Sequence, residues 1–575
     1  MPPTSHDSNQ LLSKLEAAKS RFDSGHAAVI AKLLTQLSNL ELDPHQLIRF
    51  HEALLFLRAF PHSFSLVPRV ERLLDTFHER VEKLRDAGAD MSVFDDFDTA
   101  GIAATTMQDV LSFEVAQWLV RRIPRNIEIA WELYWDDYQG ERARGNTWPR
   151  FIPLLEEDAD AEANIPWASW LDAARGRRDP LPWLLDQFAK LPLPVRQQAE
   201  LYDSLRLPLR WKLENLKLSR TRNFVRPRSF FFHKTPLIQR SEVSLSQELS
   251  RPAPKLEKLS RSAGEAVLES VRDVMFVRYR ELYGTTLGDP STVVRANVGR
   301  GVVLHLWGLP AAYRLPLRAY VCGYTLKNGV PIHYFEAIGL CEWLEIGFNV
   351  FYTYRQGETA WIYAQTLRCL RALTGATCLS IYPYQIGQDN DEAIDSGAFW
   401  FYRKLGFRSG RPDLQKLCER EEKKIAADPE YRTPRRILKR LAEAHMFYDV
   451  QPAARRLKPG PWDSFSTRTL GLRVNRRMAR DFDGDSEKIR RASTRAVGRA
   501  LNLNSSRWTP AQKQSLETWS LVLAEIPDLA RWTAEEKEEV IQIIRAKSGA
   551  NEMSYLRRTQ RHARLRQELL RLGSR

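Results

Sequence analysis

The sequence predicts an α+β protein. A mixed, mainly antiparallel sheet with helices occupies residues 259–410, and regions of helix alone flank it on both sides. Three observations predict this. Over 260–283 the apolar residues Val267, Val271, Val274, Met275, Tyr279 and Leu282 recur at helical spacing, and the period then changes to that of strands. Lys327-Asn328-Gly329 stands between two strand-like runs, and Asn-Gly is the strongest short hairpin signal. Residues 347–410 read as strand, tight turn, helix, strand, loop and helix.

Residues 1–225 read mainly as helices. Apolar residues fall at three- and four-residue spacing over 11–40, 45–60 and 63–87. Asp43-Pro44 opens the second of these as cap and first-turn proline, and Pro61 closes it. Residues 94–106 are acidic and then small, which predicts a loop before a helix at 107–122. Residues 136–148 are again loop-like, and 166–191 is helical, broken by Pro180 and Pro182. A bundle and an irregular helical array both fit. Residues 226–258 form a linker, because Pro227, Pro236, Pro252 and Pro254 each push the preceding residue out of the helical region. The run Phe230-Phe231-Phe232 requires burial, so this linker is expected to pack on a domain.

In the central segment, 293–298, 301–306, 317–325 and 332–338 are strand-like. An apolar strand (Phe348, Val350, Phe351) then meets the turn 355–360. The following helix carries Ile362, Leu367, Leu370 and Leu373; Gly375 stops it, and Arg368 and Arg371 suit its negative C-terminal end. Residues 376–383 form a short buried strand ending at proline, and 391–405 a helix with Gly406 as terminator. Residues 411–575 return to helix, at 415–427, 433–446, 464–480, 487–501, 509–525, 533–545 and 552–572. Thr533-Ala534-Glu535-Glu536 is a capping box.

A chain of 575 residues exceeds one core, so two to four domains are expected. No apolar run approaches a membrane span, and residues 1–9 lack a leader pattern. The five cysteines are odd in number, far apart and without C-x-x-C spacing. They argue for a reducing cytoplasm and against disulfides or a zinc knuckle. The net charge is +15, and residues 451–575 hold 26 Lys and Arg against 14 Asp and Glu, an excess of 12. That asymmetry fits a polyanion such as nucleic acid as partner; the plainer reading is a solvated helix face, since no helix-turn-helix or zinc pattern accompanies it.

The turn at 355–360 has a chemical use. Amides at a helix start have no intrahelical partner, carry partial positive charge and can hold a pyrophosphate. Beyond it, Asp395-Ser396-Gly397-Ala398-Phe399-Trp400-Phe401-Tyr402-Arg403-Lys404-Leu405-Gly406-Phe407 resembles the closing segment Asn-x-x-Ala-x-x-x-Tyr-x-Lys-Leu-Gly-Phe of the GNAT superfamily of acyl-CoA-dependent N-acyltransferases. Ala398, Tyr402, Lys404, Leu405, Gly406 and Phe407 are in place, and Asp395 stands where Asn is usual. Residues 355–360 resemble the family's pyrophosphate loop, Arg/Gln-x-x-Gly-x-Gly/Ala. Arg355 and Ala360 fit, but Glu358 holds the central glycine's position and Gly357 comes one residue early. A carboxylate there opposes a pyrophosphate unless it points away. The resemblance covers about residues 260–410.

The resemblance implies acetyl-CoA or another acyl-CoA as co-substrate, no metal, and direct attack by an amine of unspecified identity. The cofactor would meet Asn349, Phe351, Arg355, Gln356, Gly357, Glu358, Thr359, Ala360, Asp395 and Ala398. Tyr402 would protonate the departing thiolate. A base is also needed, and Glu336, Glu342 and Glu345 lie on or near the strands before the loop. Glu345 is the one chosen, provided that burial raises its pKa; a solvated strand-edge carboxylate is its plainer reading. Cys341 and Cys378 read as buried small hydrophobes, since direct transfer needs no covalent intermediate. The run 481–485 begins like a calcium loop but has Ser486 and Ala492 where Gly and Glu are required. Gly299-Arg300-Gly301 lacks the third glycine of a dinucleotide loop. The alternative function is a catalytically degenerate fold acting as a binding or scaffold protein, its basic C-terminal helices contacting a polyanion; Glu358 favours it.

Overall fold

The computed structural model describes residues 5–23, 25–134, 147–154, 167–279, 281–450 and 460–574. Most of the loop expected at 136–148 lies outside the described residues, as do Met1 to Thr4 at the start of the chain. The chain divides into two compact units. One holds Met1–Arg228, Phe232–Thr235 and Leu268–Thr286; the other holds Ser229–Phe231, Pro236–Val267 and Leu287–Arg575. The helix Arg261–Met275, expected to belong wholly with the sheet, is divided between them at Leu268. Residues 411–575 do not form a unit of their own.

The first unit is helical with one small sheet. Asp43 caps Pro44–Ala59, its carboxylate accepting from Gln46 N at 2.9 Å while the Gln46 side chain takes the Asp43 amide, so the cap read from Asp43-Pro44 is a full capping box. Pro180 occupies the first turn of Pro180–Lys190 and therefore starts a helix. The expected helix at 107–122 begins later. Ser112 caps Phe113–Arg122, and the residues before it form a strand. This strand, β1 (Thr106–Val110), and β2 (Ile127–Ile129) pair antiparallel with the two edges of β3 (Pro208–Lys212). The sheet aligns Met107 and Ile127 with Trp211, and the Trp211 ring is fully buried.

Among the described residues the second unit is built on nine strands. They are β4 (Glu257–Lys258), β5 (Val294–Gly299), β6 (Val302–Trp307), β7 (Ala319–Lys327), β8 (Val330–Leu340), β9 (Trp343–Val350), β10 (Cys378–Ile381), β11 (Arg408–Ser409) and β12 (Met446–Asp449). Their order across the sheet is β11-β12-β10-β9-β8-β7-β6-β5-β4, with every neighbouring pair antiparallel except β9 and β10. The parallel pair needs a crossover, and Thr359–Thr374 supplies it. Asn328 (φ 48°) and Gly329 (φ 81°) are both left-handed, as a tight two-residue turn between β7 and β8 requires.

Three expected helices are interrupted. Residues 391–405 form Asp391–Asp395 and Ala398–Lys404, parted at Gly397 (φ 70°). Residues 433–446 shorten to Arg435–Leu441, and Met446–Asp449 becomes the strand inserted between β10 and β11. Residues 552–572 break at His562, whose ring accepts from Leu565 N at 3.2 Å and starts a new helix, Ala563–Gly573. These last helices are tied to the sheet: Gln560 donates to Cys341 O at 3.0 Å, and Arg566 pairs with Glu342 at 2.8 Å.

Register assigns the two faces of the sheet. Cys322, Glu336 and Gly347 lie side by side on β7, β8 and β9, and so share one face. Phe335 and Phe348 share the other, which the crossover helix covers through Tyr363, its ring 4.7 Å from that of Phe348. Among the described residues no helix is long and apolar enough to cross a membrane.

Candidate functional site

The central feature is where β9 and β10 part. Their ladder runs from Trp343↔Cys378 to Ile346↔Ile381 and stops. β9 continues through Gly347–Val350, paired only with β8, while the chain after β10 turns into Pro383–Ile386. A gap therefore opens along the last four residues of β9. A Cβ added to Gly347 would stand 3.6 Å from Gln385 Nε2, so Gln385 is the side chain beside the gap at that point.

From Val350 the chain makes the turn Tyr352–Tyr354, Gly357 N donates to Tyr354 O at 2.8 Å, and the helix starts at Thr359. Glu358 is the N-cap residue, yet no side chain caps this helix. A carboxylate at that position is ordinarily drawn to the first-turn amides. Here it is fully buried and held elsewhere. Arg300 grips both oxygens, with Nε 3.1 Å from Oε2; Ile238 N donates to Oε1 at 3.2 Å; and Lys327 Nζ lies 3.6 Å from Oε2. The carboxylate expected to oppose a pyrophosphate is thus turned inward, and the first-turn amides keep their anion-binding capacity.

Three distant segments make this arrangement. Arg300 sits at the β5–β6 turn with φ 53°, so Gly299-Arg300-Gly301 is a hairpin turn rather than a dinucleotide loop. Lys327 ends β7 and also donates to Arg300 O at 2.6 Å; burial pushes its pKa down to about 8, against the pull of Glu358. The linker supplies Ile238 and Phe231. Asn328 accepts from Phe231 N at 2.7 Å and donates to Phe231 O at 3.0 Å. The three consecutive phenylalanines are half-buried, not cored. Phe231 instead lies under cations, with Lys327 Nζ 4.9 Å and the Arg300 guanidinium 5.3 Å from its ring centroid.

Tyr402 lies on the helix-covered face. Its ring is 5.5 Å from Tyr363, which in turn packs on Phe348 of the free end of β9. Burial among Tyr363, Phe401 and Phe407 pushes its phenol well above the ordinary value, so it is neutral. Among the described residues the Tyr363 hydroxyl, Asn349 Oδ1 and His333 Nδ1 are buried and unpartnered. Each such atom costs about 1–3 kcal/mol. Asn349 and Tyr363 belong to the free end of β9 and the first turns of the crossover helix, and His333 is aligned with Val350. Asn349 shares the face of Gly347 and Glu336, whereas His333 shares that of Phe348, which Tyr363 covers.

The carboxylates separate by register. Glu345 is held between Arg318 Nη1 (3.1 Å) and His445 Nε2 (2.8 Å). Burial raises its pKa, but His445 and Arg318 together outweigh burial and leave it below the ordinary range, so it does not meet the requirement set for a base. Glu342 is likewise held low against burial by Arg566 and Trp462. Glu336 differs. Burial raises its pKa, a hydrogen bond from the Tyr320 hydroxyl only partly offsets this, and the residue lies beside Gly347 where the strands part. The sequence includes Glu336 among its three candidates; the reason to choose it is the pairing with Gly347, which no local pattern reveals.

The remaining expected residues are distributed as follows. Phe351 is buried against Tyr334 (6.0 Å), Gln356 is exposed, and the Thr359 hydroxyl donates to Arg355 O at 3.2 Å. Arg355 pairs with Glu392, and Asp395, which is exposed, pairs with Arg435. Ala360 is buried in the first turn, and Ala398 opens its own short helix. All five cysteines are buried and free, and burial pushes the Cys341 and Cys378 thiols far up, so neither is a ready nucleophile. Asp485, from the calcium-like run, caps the helix Ser486–Ala500. Among the described residues no group of three or more His, Cys, Asp or Glu could hold a metal.

Fold and site together define a mixed α+β protein whose open, mainly antiparallel sheet parts at its one parallel strand pair. Compared with protein-family models, curated proteins and solved structures, the chain gives no match.

Proposed function

We propose that the sheet-bearing unit is a GNAT-like acyl-CoA-dependent N-acyltransferase acting on an amine. The observation that carries this reading is the vacated helix start at Thr359, directly after strands β9 and β10 part, with the one side chain able to fill it locked away by Arg300 and Lys327. The motif at 395–407 supports it independently, since it selects Tyr402, a neutral buried phenol beside the crossover helix.

Acyl-CoA supplies an activated acyl thioester. The amides at the start of Thr359–Thr374 would hold its pyrophosphate, and Tyr363 offers a buried hydroxyl for the arm that follows. Glu336 and Tyr402 lie on opposite faces of the sheet, which suits an acceptor arriving from one face and a thioester from the other. The amine nitrogen forms the new C–N bond as the C–S bond breaks. Its proton passes to Glu336, and the Tyr402 hydroxyl gives its proton to the leaving sulfur. Holding both reactants in place and donating to the developing oxyanion account for the rest of the acceleration.

Glu358, which favours the scaffold alternative with its basic C-terminal helices, is drawn inward by its ion pairs, which supports the transferase reading. Titration with acetyl-CoA and CoA by thermal shift or calorimetry tests the proposal. Stabilisation by mass action is expected in wild type and in Tyr402→Phe, with turnover lost only in the variant. No shift at millimolar ligand would return the fold to a binding role.

A further inference from the structure

The helices Thr467–Phe482 and Ser486–Ala500 take no part in the parted-strand site, yet residues 467–500 hold ten Lys and Arg against four Asp and Glu. The acids are gathered at the turn 481–487, where Asp481 pairs with Arg480 and Asp485 caps the second helix. The two helices touch through Arg477, which donates to Ser493 Oγ at 3.0 Å and pairs with Glu525 at 3.2 Å. Leu470 on the first helix and Ile489, Ser493 and Val497 on the second are buried. Opposite them the surface is arginine. Arg468, Arg473, Arg476, Arg490, Arg495 and Arg499 are exposed and have no carboxylate partner among the described residues.

We infer that this pair of helices is a docking surface for the sugar-phosphate backbone of duplex nucleic acid, bound without regard to sequence. Nine of the ten cations are arginines, whose planar forks suit phosphate oxygens better than an ammonium does. Arg491 to Arg499 spans about 12 Å at the helical rise, roughly the axial length of three to four phosphates on one strand. An anionic membrane fits less well, because an interfacial helix needs an apolar face to insert, and Leu472 is the one large apolar side chain exposed on these helices among the described residues. Single strands fit less well too. They are gripped by stacking on aromatic rings, and the only aromatic residue in 467–500 is Phe482, which lies under Arg477 at 5.7 Å. This inference does not rest on the acyl-transfer reading.

The test is fluorescence anisotropy of the full chain with labelled duplex DNA of arbitrary sequence across a salt series. Affinity should fall steeply with salt, with a log–log slope of about −3 to −5, as a few released counterions require. Arg476→Gln, Arg495→Gln and Arg499→Gln combined should weaken binding at least tenfold and flatten the slope by about 2–3, with the thermal midpoint unchanged because all three side chains are exposed. Wild-type binding by the triple variant overturns the inference. So does tighter binding of an unstructured oligothymidine of equal length. Retention by phosphatidylserine vesicles without DNA binding, abolished in the variant, would assign the surface to membranes instead.

Discussion

Two carboxylates of the sheet unit, Glu358 fully buried and Glu336 half-buried, are treated in opposite ways. Glu358, in the turn before the crossover helix, receives Arg300, Lys327 and the Ile238 amide. Glu336, on the face of the sheet away from that helix, has a hydrogen bond from the Tyr320 hydroxyl and no ion pair among the described residues. The first arrangement immobilises a charge so that it cannot return to the helix amides. The second leaves a carboxyl whose proton affinity burial has raised, which is the property a base needs. The same residue type is thus held as a paired anion in one region and left with a raised proton affinity in the other, according to what surrounds it.

The largest effect should come from Glu336→Gln. It should lower kcat/KM by about 100- to 10,000-fold, the usual contribution of a positioned base, while stability holds or rises. Only ionised Glu336 accepts a proton, so wild-type activity should climb as pH rises through a value above that of an ordinary glutamate. The variant should lack that limb. A variant that keeps wild-type rates would reassign the base and erase the contrast.

Next is Arg300→Met. Leaving Glu358 without its main partner should cost about 3 kcal/mol in denaturant unfolding, as breaking a buried pair does. It should also weaken CoA binding, since the released carboxylate can cap the helix and repel phosphate. Adding Glu358→Gln should restore most of both losses. If the double variant stays as weak a binder as the single one, Glu358 is not a latch.

The smallest effect belongs to His333, buried beneath the crossover helix with its pKa pushed down to about 3 by desolvation. The native state refuses a proton that the unfolded chain accepts near its ordinary value of about 6.5. Its contribution is constant above that value, and stability falls as pH drops from there towards 3, by at most about 1.4 kcal/mol per pH unit. Between pH 7 and 5, His333→Phe should lose about 2 kcal/mol less than wild type by urea midpoints. Equal losses would place the acid sensitivity in other groups.

Features written in a few adjacent residues were legible. Asn328-Gly329 forms its turn, Gly375 (φ 79°) ends the crossover helix, and Thr533 with Glu536 closes a capping box. The strands β1, β3 and β12 were not. Each is five residues or fewer, and β3 meets β1 and β2 from about 80–100 positions away, so no local period marks them. In the candidate site, Tyr402 and the turn 355–360 are selected by their motifs. Glu345 was preferred to Glu336 because proximity to the cofactor strand is visible in sequence, whereas His445 and Arg318, which hold Glu345 low, are brought to it by folding.

By itself the sequence determined the caps at Asp43 and Thr533, the Asn328-Gly329 turn, the antiparallel meander, and the turn that leads into the crossover helix. These depend on caps, turn residues and periodicity, which act over a few positions. The tertiary structure alone decided that Glu358 faces Arg300 and Lys327, that Glu336 stands beside Gly347, and that β12 enters between β10 and β11. Burial and charge pairing set those outcomes, and both depend on residues that only the folded chain brings within a few ångströms of one another.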